Sequence, residues 1–248
     1  MTLNDFFTEH PSVALAFSGG VDSSYLLYAG LQSGCDIHAY YVKSDFQPQF
    51  ELEDALRLVK ELDAKMTVLE LDVISDPAIT ANPLNRCYHC KKKIFSKITE
   101  AAKSDGCELL IDGTNASDDA DDRPGMKALQ ELSVRSPLRE CGITKSEVRN
   151  LSKEAGLFTW NKPAYACLAT RIPTGDLITH EKLKATESSE KLLSDMGFYD
   201  FRIRLSGKDA KIQVHEDQLE KVWSCRNDIL EKLKPWYHSV TVDLETRS

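Results

Sequence analysis

The strongest constraint on this chain is Ser18-Gly19-Gly20-Val21-Asp22-Ser23-Ser24, set directly behind the apolar run Val13-Ala14-Leu15-Ala16-Phe17. A buried strand empties into two adjacent glycines and then into a helical pattern over 24–30. Such a corner lets backbone N–H groups approach a phosphate closely, and the positive end of the following helix dipole favours the anion. Ser18, Ser23 and Ser24 add hydroxyl donors. No Gly-Lys-Ser or Gly-Lys-Thr follows the glycines, so the spacing is not that of a Walker loop. A plain strand–turn–helix corner would need the glycines alone. The serines and the aspartate at these offsets have no packing role, and they mark Ser18, Gly19, Gly20, Val21, Asp22, Ser23 and Ser24 as nucleotide-binding candidates.

Short apolar runs alternate with helical patterns up to about residue 155. Candidate strands are 13–17, 37–42, 66–71 and 108–111, separated by helical spacings such as Leu52, Ala55, Leu56, Val59 and Leu62, and Ile94, Phe95, Ile98 and Ala101. Thr144-Lys145-Ser146-Glu147 is a capping box, and Gly156 is placed to end the helix it opens. This alternation predicts an α/β fold with a doubly wound parallel sheet covered on both faces. Ligands of such sheets sit at the carboxyl ends of the strands, where the serine-glycine loop lies. After Pro163 the pattern changes to a polar helix over 180–196, alternation around Phe201, Ile203 and Leu205, a Gly207-Lys208 turn, a strand over 211–214, a helix through Leu219, Val222 and Leu230, and a last strand over 239–244. The expected division is a nucleotide-binding domain over 1–162 and a small C-terminal α+β domain over 163–248.

The 248 residues carry 42% apolar and 28% charged side chains, with a net charge of −8. That balance fits a globular protein and argues against a broad nucleic-acid surface, which needs clustered Lys and Arg. No run reaches the roughly 20 apolar residues of a membrane helix, and the first residues do not read as a signal peptide. The chain is therefore expected in the cytoplasm, with no membrane partner. Its seven cysteines would be reduced there, so clustered ones suggest metal or redox chemistry.

Cys87 and Cys90, in Arg86-Cys87-Tyr88-His89-Cys90-Lys91, follow an irregular stretch broken by Pro77 and Pro83. Two cysteines three apart can face one metal or one cluster, but no second pair completes a zinc site, and a chance pair at a helix start remains open. Cys167 lies in Lys162-Pro163-Ala164-Tyr165-Ala166-Cys167-Leu168-Ala169-Thr170-Arg171, with Lys162 and Arg171 flanking the thiol. Nearby cations make a thiol a better nucleophile or ligand. A buried hinge cysteine is the competing reading. Cys35, Cys107, Cys141 and Cys225 stand alone and read as structural. Asp112-Gly113-Thr114-Asn115 follows the strand over 108–111, again at a carboxyl end, which makes Gly113 and Thr114 candidates for a nucleotide or magnesium contact. Arg123 suits a bidentate contact to a carboxylate or phosphate. Arg202, Arg204, Lys208 and Lys211 either bind a substrate phosphate or decorate an exposed sheet face, and the second is the preferred expectation.

SGGVDSS resembles the SGGxDS signature of the PP-loop ATP pyrophosphatases, of the adenine nucleotide alpha hydrolase-like fold. Together with NPLNRCYHCKK, DGTNASDD, DRPG, SPLRE and KPAYACLATRIPTG, it resembles the LarE family of PP-loop sulfur transferases over nearly the whole chain. That resemblance implies use of ATP with magnesium, adenylation of a carboxylate on pyridinium-3,5-dicarboxylate mononucleotide, and sulfur insertion to give a thiocarboxylate for the nickel-pincer nucleotide cofactor of lactate racemase. In one class of the family a single cysteine, matching Cys167, gives up its own sulfur. In the other, three cysteines similar to Cys87, Cys90 and Cys167 hold a 4Fe–4S cluster that carries sulfide. Because all three are present here, the cluster route is preferred, with a nucleotide substrate, a sulfide donor and a homo-oligomer as expected partners. tRNA thiolation, an amide-forming ligase and a non-catalytic sensor are the alternatives. The first sits poorly with the net charge, and the second leaves the cysteines idle.

Overall fold

The computed structural model describes residues 1–118 and 124–247. Chain contacts divide them into two compact units, one of 1–73 and 85–165 and the other of 74–84 and 166–248.

The first unit opens with α1 (Leu3–Glu9), β1 (Ser12–Ala16), α2 (Val21–Gln32), β2 (Asp36–Lys43), α3 (Gln49–Glu61) and β3 (Lys65–Glu70). The chain then passes through α4 (Pro77–Thr80), which belongs to the second unit. It returns for α5 (Arg86–Ser104), β4 (Leu110–Asp112), α6 (Pro124–Glu131), α7 (Pro137–Glu140) and α8 (Lys145–Glu154). The strands form one parallel sheet in the order β3-β2-β1-β4, with Leu15 paired to Ala39 and Ile111.

The period-2 pattern of the strands divides the core. Val13 and Leu15 of β1 and Ile37, Ala39 and Tyr41 of β2 pack with Leu26, Leu27, Leu58 and Val148 of the helices on one face. Ala14, Tyr40 and Val42 pack with Phe95, Ile98 and Leu129 on the other. Each fully buried Leu, Ile or Phe in these layers contributes roughly 1.5–3 kcal/mol. The sheet is therefore doubly wound, as the alternation predicted. Strand bounds move by a residue or two, most at β4, which is short and lies at an edge of its sheet beside an isolated bridge from Ile111 to Arg135. The capping box at Thr144 forms as expected, with the Glu147 carboxylate accepting from the Thr144 N–H.

The second unit contains α9 (His180–Asp195), the antiparallel hairpin β5 (Arg202–Ser206) and β6 (Asp209–Gln213), then α10 (Leu219–Ser224), α11 (Arg226–Leu233) and β7 (Val240–Val242), which pairs parallel to β6. Gly207 turns the hairpin at φ +61°. The single helix expected through Leu219, Val222 and Leu230 is two, because Cys225, at φ −94° and ψ 8°, turns the chain between them. Arg202 is only 5% exposed and Arg204 is half-buried, so this pair does not decorate an exposed face. Burial, with repulsion from Arg171 and Arg247, lowers the affinity of both guanidinium groups for their protons. Segment 74–84 joins this unit through backbone pairing. The Ile178 N–H donates to Thr80 O at 2.8 Å, and the Asn82 amide donates to Pro173 O at 2.7 Å. Among the described residues no helix is long and apolar enough to cross a membrane.

Candidate active site

The loop from β1 to α2 closes on itself through its own hydroxyls. Ser23 Oγ lies 3.1 Å from Ser18 Oγ, accepts from the Ser18 N–H at 3.3 Å and donates to Gly20 O at 3.2 Å. Gly19 takes φ +69°, a left-handed conformation that glycine adopts without strain, and its α-carbon backs onto Ala55 of α3. Gly20 is the N-cap of α2, and no side chain caps that helix, which is the arrangement that can receive an anion. Ser24, by contrast, is fully buried, and its Oγ makes no hydrogen bond.

The carboxyl end of β4 meets this loop. A Cβ on Gly113 would stand 2.9 Å from Ser23 N and 3.2 Å from Ser23 Cα, so only glycine permits the close approach. Asp112 is buried and accepts from Thr114 Oγ1 at 2.5 Å and Ser136 Oγ at 2.6 Å. Asn115 Nδ2 reaches Asp22 Oδ1 at 3.3 Å, and Lys145, the first residue of α8, forms an ion pair with the same carboxylate. The structure therefore brings Ser18–Ser24 together with Gly113 and Thr114 at the carboxyl ends of β1 and β4. Arg123 lies outside the described residues, as do the neighbouring Asp121 and Asp122.

Lys162, expected as a cation flanking Cys167, sits 2.8 Å from Asp54 Oδ2, 3.4 Å from Glu51 Oε1 and 3.4 Å from Gly19 O. Its backbone carbonyl accepts from Arg149 at 2.9 Å. Burial pushes the Glu51 carboxyl above the usual range, and the Lys162 ammonium pulls against that rise. Tyr41, whose hydroxyl is buried without a hydrogen bond, is raised by burial and then by the charges of Glu51 and Asp54.

The cysteines fall into two kinds. Cys35 is buried, donates to His10 O at 3.3 Å, and has its thiol pushed by burial up to about 11. Cys107 is buried as well. Cys87 is exposed and Cys90 half-buried, three positions apart at the start of α5 and hence on one face of it. His89, between them, lies 3.1 Å from Asn85 through its ring nitrogen. In the second unit, half-buried Cys167 precedes a short turn over 168–171, and its carbonyl accepts from Thr170 N and Oγ1 at 3.0 and 2.8 Å. Arg171, the other cation expected to flank the thiol, is 2% exposed and is held by both oxygens of Glu190, at 2.8 and 3.1 Å, and by Ala166 O at 2.9 Å. Among the described residues no three His, Cys, Asp or Glu side chains come together as a metal site.

No family model matches the chain. It is 33% identical over 235 residues to the pyridinium-3,5-bisthiocarboxylic acid mononucleotide synthase of Lactiplantibacillus plantarum, covering 94% of this chain and 85% of that one. It is 36% identical over 223 residues to an uncharacterized protein of Synechocystis, covering 88% and 82%. A tRNA-specific 2-thiouridylase of Clostridium botulinum is 27% identical over 183 residues, covering 61% of this chain and 52% of that protein. The parallel sheet, the serine-glycine loop at its carboxyl edge and the full-length similarity to the synthase agree, and the chain is an enzyme that belongs to the LarE family of PP-loop sulfur transferases.

Proposed function

We propose that this enzyme splits ATP to AMP and pyrophosphate to activate a carboxylate of pyridinium-3,5-dicarboxylate mononucleotide, and then replaces one carboxylate oxygen with sulfur. The observation that carries the reading is the loop itself: an uncapped helix start behind two glycines, with Gly113 pressed against Ser23. The first-turn N–H groups of α2 and the hydroxyls of Ser18 and Ser23 would bind the phosphates and stabilise charge that grows on the departing pyrophosphate. The carboxylate oxygen attacks the α-phosphorus, the bond to the β-phosphate oxygen breaks, and an acyl-adenylate forms. Sulfide then adds to the activated carbonyl, AMP leaves with the former carboxylate oxygen, and the thiocarboxylate remains. A second round on the other carboxylate gives the dithio product.

Magnesium fits this site, because it usually takes only one or two protein carboxylates and completes its shell with phosphates and water. Asp22, one-fifth exposed within the loop and paired with Lys145, would be the carboxylate to hold it.

For sulfur delivery we infer that Cys87, Cys90 and Cys167 hold a 4Fe–4S cluster. Cys87 and Cys90 suit the donor set: they share a helix face and are reachable, unlike Cys35 and Cys107. Bound there, a cluster with one iron lacking a protein ligand supplies a place to carry sulfide. The test is anaerobic reconstitution with iron and sulfide, followed by assay with ATP and the dicarboxylate nucleotide. Expected are iron-dependent visible absorbance, lost when any of the three cysteines is changed to Ala, and thiolated nucleotide over repeated turnovers. A protein that takes up no iron, and that loses one sulfur from Cys167 by intact mass after a single turnover, would replace cluster delivery with sacrifice of that cysteine. Absence of any thiolated nucleotide would sink the whole reading.

A further inference from the structure

A phosphate loop of the Walker kind carries its own lysine, and this loop has none in Ser18–Ser24. The fold brings two lysines to it from far along the chain. Lys162, 143 residues beyond Gly19, places Nζ 3.4 Å from that residue's carbonyl. Lys145, 123 residues beyond Asp22, pairs with its carboxylate. All these groups lie within the first unit.

The surroundings of Lys162 mark it as a held cation rather than a surface decoration. Its side chain is 12% exposed, so the ammonium has largely left water, a cost that recurs in folded proteins only where partners offset it. Arg149 fixes the backbone on both sides by donating to Trp160 O at 2.7 Å and Lys162 O at 2.9 Å. Asp54 takes the ammonium at 2.8 Å, while Glu51 Oε1, 3.4 Å away, is buried and makes no hydrogen bond. Two carboxylates therefore face one ammonium beside a loop built to receive an anion. An incoming phosphate would compete with these carboxylates for the ammonium. The long lysine stem lets the ammonium turn toward the ligand without movement of the pinned backbone.

We propose that Lys162 is the loop's missing lysine, stored on Asp54 and Glu51 until ATP arrives, and that it then binds the β- and γ-phosphates and stays with the pyrophosphate as it leaves. Lys145, stored on Asp22, is the second such cation. The inference rests on the loop being an ATP site, and it adds the residues that discriminate the triphosphate from AMP.

The test is equilibrium binding of magnesium pyrophosphate and, separately, of AMP to the full chain and to Lys162→Met, Lys145→Met and Asp54→Asn. A charged hydrogen bond lost from the phosphate predicts pyrophosphate affinity about tenfold or more weaker in Lys162→Met, and weaker again with Lys145→Met, while AMP binding stays within about twofold. Asp54→Asn frees the lysine and is expected to tighten pyrophosphate binding while leaving AMP binding within about twofold. This arm decides the matter even if Lys162→Met does not fold. Unchanged pyrophosphate affinity in Lys162→Met, equal weakening of AMP and pyrophosphate, or unchanged or weaker pyrophosphate binding in Asp54→Asn would each overturn the assignment. Failure of the unaltered chain to bind either ligand would instead overturn the loop as an ATP site.

Discussion

Single residues decide whether the loop can work, and Gly113 is the plainest case. A Cβ at this position would meet backbone atoms of Ser23 and Asp22, none of them a flexible side chain that could yield. In Gly113→Ala the methyl group must push the loop away from β4, and a displacement of order 1 Å at a catalytic site costs about 100-fold in rate. Pyrophosphate release by this variant is expected to fall by about that factor with the chain still folded, as read by steady-state kinetics beside a thermal melt. Activity within a few-fold of the unaltered chain would show that the approach of Gly113 is not needed. The sequence made this residue and the Ser18–Ser24 loop legible because each motif is local, a few residues at the end of one strand. Lys162 and Lys145 were not legible as loop residues. Their partners lie 143 and 123 positions away, and only the closure of the sheet and the packing of α8 bring them near. Lys162 and Arg171 flank Cys167 in sequence, and the long-range partners they take in the fold, Asp54 and Glu190, carry no signal near the thiol.

At the scale of elements, Glu190 joins three of them. From α9 it accepts two of the guanidinium bonds of Arg171, and its Oε1 also accepts from the N–H of Ile203 in β5 at 2.9 Å. The pair is almost out of water, with side chains 1% and 6% exposed. Removing one member leaves a buried charge without its partner, so Glu190→Ala is expected to destabilise the second unit by about 3–5 kcal/mol, measured by urea unfolding. A loss below about 1 kcal/mol would show that Arg171 finds other partners or water. The sequence gives little warning of such a pair, since Glu190 sits in a polar helix whose composition suggests exposure. Strands were easier to read: Val13–Leu15 and Ile37–Val42 are apolar on both faces because helices cover both, and a run of that kind has few other uses. The division of the last helix at Cys225 carries no glycine or proline, and so no local signal announced it.

Across the whole molecule, the chain leaves its first unit at residue 74, contributes 74–84 to the second, and returns. The irregular stretch broken by Pro77 and Pro83 is thus part of a folded unit, held by the bonds of Thr80 and Asn82 to a segment about ninety residues on. Composition alone could not show this, because proline and asparagine serve linkers and tight structural turns equally. The same excursion means that Cys87 and Cys90 follow directly where the chain re-enters the first unit, while Cys167 begins the long final stretch of the second. In the proposed reaction the first unit makes the electrophile. The most direct measurement is release of pyrophosphate from ATP with and without pyridinium-3,5-dicarboxylate mononucleotide, before any sulfide is added. Stoichiometric pyrophosphate and an acyl-adenylate are expected only when the nucleotide is present. Release of inorganic phosphate with ADP, or pyrophosphate formation indifferent to the nucleotide, would contradict the proposed reaction.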